Sequence, residues 1–296
     1  MTSSIELPYY RDASLLPSLL PTTAEIENAG TTMPSIRDPR YGGRIVIVKG
    51  HYVAKYGSHH IAENEGHALL FIEKNLSIPA PRLHAMYYEA GKLYMVMDLM
   101  PGRNLELHWP DLSNDEKISI AGDLRQICDQ MRGLPSPGFF GSVNGGPLLH
   151  RFFLTMHKDP RITGPFKTEQ EFGSALALRS QENWACNNRR GWISEFFARH
   201  LPAALKDHRS TFTHSDLHRQ NILVDKVATS DGVGRFVVSG IVDWESAGWY
   251  PSYWEYAASL IDFQWGDDWP EKYELAVDPW PLEAAMLKMV RQDLDY

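Results

Sequence analysis

The sequence predicts an α+β fold in two lobes, a small strand-rich one followed by a larger, mainly helical one. Three observations carry this. Short β-branched runs in the first hundred residues flank glycine turns. One stretch of helical spacing interrupts them. Beyond Pro101-Gly102, the strongest turn signal in the first half, helix-start signatures dominate. The boundary is therefore placed at that turn. Residues 1–100 form an N-terminal arm and the β-rich lobe, and residues 101–296 form the helical lobe.

The elements follow in order. Residues 1–33, rich in Pro, Ser and Thr, read as an arm or short helices lying against the domain. Arg44-Ile-Val-Ile-Val48 and His51-Tyr-Val-Ala-Lys-Tyr56 form a hairpin around Lys49-Gly50. Residues 61–75 form a helix with Ile61, Ala68, Leu69 and Ile72 on one stripe. Pro79 and Pro81 bar its continuation, and 82–89 with 93–99 form a second hairpin around Ala90-Gly91. Ser113-Asn-Asp-Glu116 is a capping box, and Ile118, Ala121, Leu124, Cys128 and Met131 follow it at helical spacing. Thr168-Glu-Gln-Glu171 opens another helix. Residues 192–205 are helical until Leu201-Pro202 disturbs them. Strands at 222–224 and 235–242 flank a turn at 230–234, and the end of the chain is aromatic, acidic and helical.

Composition narrows the function. In 296 residues the formal net charge is −8, which argues against a nucleic-acid partner. The two cysteines, Cys128 and Cys186, rule out a disulfide framework and a cysteine zinc site. No apolar run is long enough to span a membrane, and the first residues lack a leader pattern, so a cytoplasmic protein without a membrane partner is expected. Oligomeric state is not legible.

The sharpest chemical signal is Thr213-His-Ser-Asp-Leu-His-Arg-Gln-Asn221 followed by Ile-Leu-Val. Its Asp-to-Asn spacing is that of a kinase catalytic loop. Phosphoryl transfer needs one carboxylate to meet the attacking hydroxyl. It also needs a neutral amide nearby to hold a phosphate-bound metal. Asp216 and Asn221 supply these types on a loop anchored by an apolar strand. A metal site made of His214, Asp216 and His218 is a rival reading of the same loop. Asp243, in Ile241-Val-Asp-Trp-Glu245, ends an apolar strand, where a carboxylate is costly unless paired or bound to a cation. Lys55 lies inside an apolar strand, and Glu65 shares the inward stripe of the following helix. Buried opposite charges on adjacent elements should pair. Glu63 is the rival helix partner.

These motifs resemble the aminoglycoside phosphotransferase and choline kinase-like family, in the branch common in filamentous fungi. The resemblance runs through Val53-Ala-Lys-Tyr-Gly57, Ser77-Ile-Pro-Ala-Pro81, Met95-Val-Met-Asp-Leu-Met-Pro-Gly102, Gly164-Pro-Phe166, Phe212-Thr-His-Ser-Asp216, Ile241-Val-Asp-Trp-Glu245 and Gly248-Trp-Tyr-Pro-Ser-Tyr-Trp-Glu-Tyr256. It implies a bilobal protein-kinase-like fold, ATP with Mg²⁺ as cofactors, and transfer of the γ-phosphoryl to a small-molecule acceptor. It implies that Asp216 orients or deprotonates the acceptor hydroxyl and that Asn221 and Asp243 hold Mg²⁺. Lys55 would bind phosphate, oriented by Glu65, and the backbone near Asp98–Met100 would meet adenine. His214 would orient the loop. Two departures stand out. Ser215 occupies a position usually held by glycine. No clear phosphate loop is present, and Tyr41-Gly-Gly43, with Gly42 and Gly43, is the best candidate.

The final segment holds Trp244, Trp249, Tyr250, Tyr253, Trp254, Tyr256, Phe263, Trp265 and Trp269, interleaved with Glu245, Glu255, Asp262, Asp267 and Asp268. Such a mixture suits an amine- or ammonium-bearing alcohol, whereas aromatics at helical spacing are more often core and surface carboxylates more often simply solvated. Two other functions are open, the first using the same residues and the second motivated by the poor phosphate loop and Ser215. One is activation of a carboxylate followed by condensation. The other is a catalytically silent pseudokinase acting as a binding module. A protein kinase is disfavoured, since Asp-Phe-Gly and Ala-Pro-Glu are absent.

Overall fold

The computed structural model describes residues 6–32, 43–58, 61–155, 157–187, 191–228, 234–262 and 266–295. The glycine turn up to Gly42, His59 and His60, residues 230–233, Phe263 and Trp265 lie outside them. The fold is the bilobal, protein-kinase-like α+β arrangement that the sequence predicts.

The strand-rich part is one antiparallel sheet of six strands. The arm supplies β1 (Tyr9–Tyr10), helix α1 (Thr23–Glu27) and β2 (Thr31–Thr32). Then come β3 (Arg44–Val48), β4 (Tyr52–Gly57), α2 (Glu63–Asn75), β5 (Leu83–Glu89) and β6 (Lys92–Asp98). The order across the sheet is β1-β5-β6-β4-β3-β2. The arm therefore does more than lie against the domain: it provides both edge strands. Two-residue strands carry too little periodicity to be read from sequence.

Alternation along β4 decides what faces what. Tyr52, Ala54 and Tyr56 join the outer cluster with Tyr94, Val96 and Ile26 of α1. Val53 joins the cluster beneath α2, and Lys55, two residues on, shares its face. The β5–β6 connection is a two-residue turn with positive φ at both Ala90 (48°) and Gly91 (74°), the primed geometry that suits strand twist.

The remainder comprises β7 (Arg103–Asn104), α3 (Leu105–His108), α4 (Asn114–Arg132), β8 (Gly141–Ser142), α5 (Pro160–Thr163), α6 (Glu169–Cys186) and α7 (Trp192–Ala204). It continues with β9 (Ser210–Thr213), β10 (Ile222–Ala228), β11 (Gly234–Ile241), β12 (Gly248–Pro251), α8 (Trp254–Asp262), α9 (Trp269–Ala276) and α10 (Pro281–Leu294). Two small sheets, β11-β10-β7 and β8-β12-β9, frame the loops that carry the chemistry. Both capping boxes form with both reciprocal bonds, at Ser113/Glu116 and at Thr168/Glu171. Gly102, between the six-stranded sheet and β7, has φ 94°, and a Cβ there would meet the Val224 carbonyl oxygen at 2.5 Å.

Two helix readings change. Ile118 is 44% exposed and faces solvent, and the buried stripe of α4 is Ile120, Ala121, Leu124, Ile127, Cys128 and Met131. The α7 helix continues through Pro202 to Ala204. Pro202 lies in its last turn, where few backbone bonds are lost. There α6 packs against it closely, a Cβ on Gly173 falling 3.3 Å from Pro202 Cα.

Candidate active site

The site grows from two loops at the ends of buried strands. Every residue of β9 is buried, and its register with β12 fixes where the chain emerges at His214. His214 is itself buried. Its Nε2–H donates to the Val242 carbonyl (3.0 Å), and its Nδ1 accepts the Asp216 N–H (3.2 Å). Both ring nitrogens are thus engaged in orienting the loop. Burial lowers the imidazole pKa and keeps it neutral. The rival metal site of His214, Asp216 and His218 is thereby excluded. Among the described residues, no group of three His, Cys, Asp or Glu side chains is placed to hold a metal.

Asn221 follows on a short 3₁₀ turn. Its Nδ2 donates to the Asp216 carbonyl (2.9 Å) and to Asp216 Oδ2 (3.2 Å), which turns Oδ1 into the group's remaining oxygen donor. The Val242 N–H donates to the Asn221 carbonyl (2.9 Å), which brings Asp243 beside Asn221. Asp243 adopts the left-handed conformation, φ 66° and ψ 60°. This pair of hard oxygen donors, one amide and one carboxylate, fits Mg²⁺, which binds through one or two carboxylates and completes its shell with phosphates and water.

Lys55 meets both elements. Its Nζ lies 2.7 and 2.8 Å from the Glu65 carboxylate oxygens and 2.7 Å from Asp243 Oδ1. Glu65 is 2% exposed and Lys55 8%. Glu63, the rival partner, instead accepts from the Tyr88 hydroxyl (2.8 Å). Burial works against the Lys55 ammonium, but the Asp243 and Glu65 carboxylates outweigh it and hold its pKa above the ordinary value. The same burial pushes the Glu65 carboxyl up, against the pull of Lys55.

The remaining candidates divide. Asp98 accepts from the Arg82 N–H (3.0 Å) and pairs with His84 Nε2 (2.5 Å), so its carboxylate is structural. The Leu99 N–H donates to the His51 carbonyl (2.9 Å), whereas the Met100 N–H bonds to no described residue. Gly43 packs against Ile61, whose Cδ1 would lie 2.1 Å from an added Cβ.

The aromatic and acidic tail is mainly core. Trp244, Trp249, Tyr250, Tyr253, Trp254, Tyr256 and Trp269 are all buried. Asp267 pairs with Arg219 (2.6 Å), and Asp268 with Lys117 (3.0 Å) and the Trp109 indole N–H (2.9 Å). These carboxylates are neutralised by cations of the chain itself and form no open box for an amine.

Sequence reasoning gave Glu255 no role of its own. It is 4% exposed beneath the 214–221 loop and accepts the N–H groups of His214 (2.7 Å) and Ser215 (3.2 Å). Burial raises its carboxyl to about 7 even though those two bonds oppose the shift. An acid between Trp254 and Tyr256, in an otherwise apolar run, was the available signal.

Ser215 explains itself. Its φ is 72°, a conformation that ordinarily selects glycine. The hydroxyl accepts the Trp254 indole N–H (2.9 Å). Ser215→Gly relieves about 1–2 kcal/mol of left-handed strain but strands a buried N–H, which costs about 1–3 kcal/mol. A net loss of about 1 kcal/mol is expected in urea denaturation. A gain would mean that strain outweighs the hydrogen bond.

Comparison with known proteins bears on the fold and the family. The chain is similar in fold to APH(2")-IIa in its gentamicin complex (TM-score 0.54, 14% identity, 85% of this chain and 78% of that one). It is likewise similar to the streptomycin–ATP ternary complex of APH(2")-IIa (TM-score 0.53, 15% identity, 87% and 80%). No curated protein matches significantly. Residues 46–282 match the phosphotransferase enzyme family, APH, and with most of its length inside that match the chain belongs to this family.

Proposed function

We propose that the protein transfers the γ-phosphoryl group of ATP to a hydroxyl of a small molecule. The observation that carries this is the bonded set Lys55, Glu65 and Asp243, which joins the six-stranded sheet to the loop beside Asn221. We place the lobe boundary at residues 100–101. On this reading the adenine meets the backbone at Asp98–Met100.

Lys55 binds the phosphates, and Glu65 fixes its ammonium. Asn221 and Asp243 hold Mg²⁺, which when bound neutralises charge on the transferring group. Asp216 accepts or orients the acceptor's proton. The protein's part is then positioning and electrostatics, and positioning alone supplies roughly 7–11 kcal/mol. The acceptor is proposed only as a hydroxyl compound, since the tail carboxylates give no reason to favour an amine.

The test is calorimetric titration with ATP, with and without Mg²⁺, of wild type and Asp243→Asn. Asparagine tolerates the left-handed backbone at 243, so the variant should fold. Mg²⁺-dependent binding in wild type, weakened at least about tenfold in the variant, is expected. Absence of binding from folded wild type would replace this proposal with the silent binding-module reading. A condensed product appearing with phosphate would replace it with carboxylate activation.

A further inference from the structure

The helix that carries Glu65 has no side-chain cap of its own. Its N-cap residue, Ala62, offers none, although a helix start leaves several N–H groups to be satisfied. The adjoining residue Asn64 is 6% exposed and does not serve the helix. It reaches across the chain. Its Nδ2 donates to the carbonyls of Glu245 (2.9 Å), in the middle of the short turn that follows Asp243, and of Ala247 (2.8 Å), just after it. The backbone of Trp244, inside that turn, hydrogen-bonds to Glu65. Consecutive residues of α2 thus hold the same loop by both signs of its backbone.

We propose that Asn64 is a positioning residue that latches the helix bearing Glu65 onto the loop bearing Asp243. The proposal rests on the phosphotransfer reading above. Only an amide suits the place. Its two N–H bonds match two carbonyls, while aspartate would set lone pairs against them. An apolar residue would remove both of these bonds. Asn64 Oδ1 is buried with no partner, so the side chain is held there by its donors alone. With both bonds formed, α2 is held against the loop, and with it the contacts of Lys55 with Glu65 and Asp243. A site preorganised in this way binds without an ordering step.

The experiment compares wild type, Asn64→Ala, Asn64→Ser, Glu65→Gln and the Asn64→Ala/Glu65→Gln double variant. Asn64→Ser retains one donor and carries the test if the alanine variant fails to fold. Amide hydrogen exchange without nucleotide should speed up about tenfold or more in residues 63–75 and 244–248 of Asn64→Ala, with β9 and α4 unchanged and Asn64→Ser intermediate. Mg-ATP affinity should fall about tenfold and kcat up to about 10²-fold. In the Glu65→Gln background the same alanine change should add little, because both act through one contact. Unchanged exchange, or losses that multiply in the double variant, would overturn the latch. Exchange needs no nucleotide. Loosened exchange in a protein whose wild type ignores Mg-ATP would therefore end the phosphotransfer reading, and with it the positioning role.

Discussion

Asp216→Asn is expected to lower kcat about 10²- to 10⁴-fold with every acceptor that the wild type uses, the range typical of a lost general base. Mg-ATP affinity should be nearly unchanged, because the residues assigned to nucleotide and metal are Lys55, Asn221 and Asp243. The fold should persist. The Asp216 side chain is 44% exposed, and its carbonyl, which accepts from Asn221, survives the substitution. The isosteric amide can still present an oxygen to Asn221 Nδ2. The change therefore removes a proton acceptor and little else. Steady-state kinetics beside a thermal melt checks this. Full turnover in the variant would remove Asp216 from its role and leave charge neutralisation as the whole of catalysis.

Glu255 gives the second large effect, and its sign follows from burial. The folded carboxyl titrates near 7, against 4.5 ordinarily. The native state thus binds the proton more tightly than the unfolded chain. The stability this contributes is fully present below about pH 4.5 and is lost as pH rises to about 7, by about 3 kcal/mol. His214 runs the other way. Its pKa is lowered, so its contribution is present above the ordinary histidine range and is lost on acidification. The observable is therefore the difference between wild type and Glu255→Gln, which lacks the carboxyl but keeps His214. At pH 5 the variant should be less stable by about 1–3 kcal/mol, since its amide accepts one N–H of the loop and opposes the other. By pH 8 that deficit should shrink or vanish. Urea melts across this range decide the matter. A deficit independent of pH would mean that Glu255 does not titrate within it.

Much of the site was legible because its chemistry is local. The Asp216-to-Asn221 spacing lies on one loop, and Asp243 ends a strand whose apolar run announces it. The pairing of Lys55 with Glu65 followed from period 2 on a strand and period 3.6 on a helix. Each rule says which way a charged side chain points, and burial then demands a partner. The third contact of Lys55, with Asp243, spans 188 residues and no periodicity predicts it.

By itself, then, the sequence determined the two-lobed fold class, the helix starts at Ser113 and Thr168, and the pairing of Lys55 with Glu65. The tertiary structure alone decided that Glu255 holds the backbone N–H groups of His214 and Ser215, and that Asp267 and Asp268 are held by Arg219 and Lys117. It also decided that Asn64 grips the loop after Asp243. The physical reason is the same in each case. A carboxylate or amide has the same local pattern whether it faces solvent, ligand or backbone, and its role is set by which distant groups packing brings within hydrogen-bond reach.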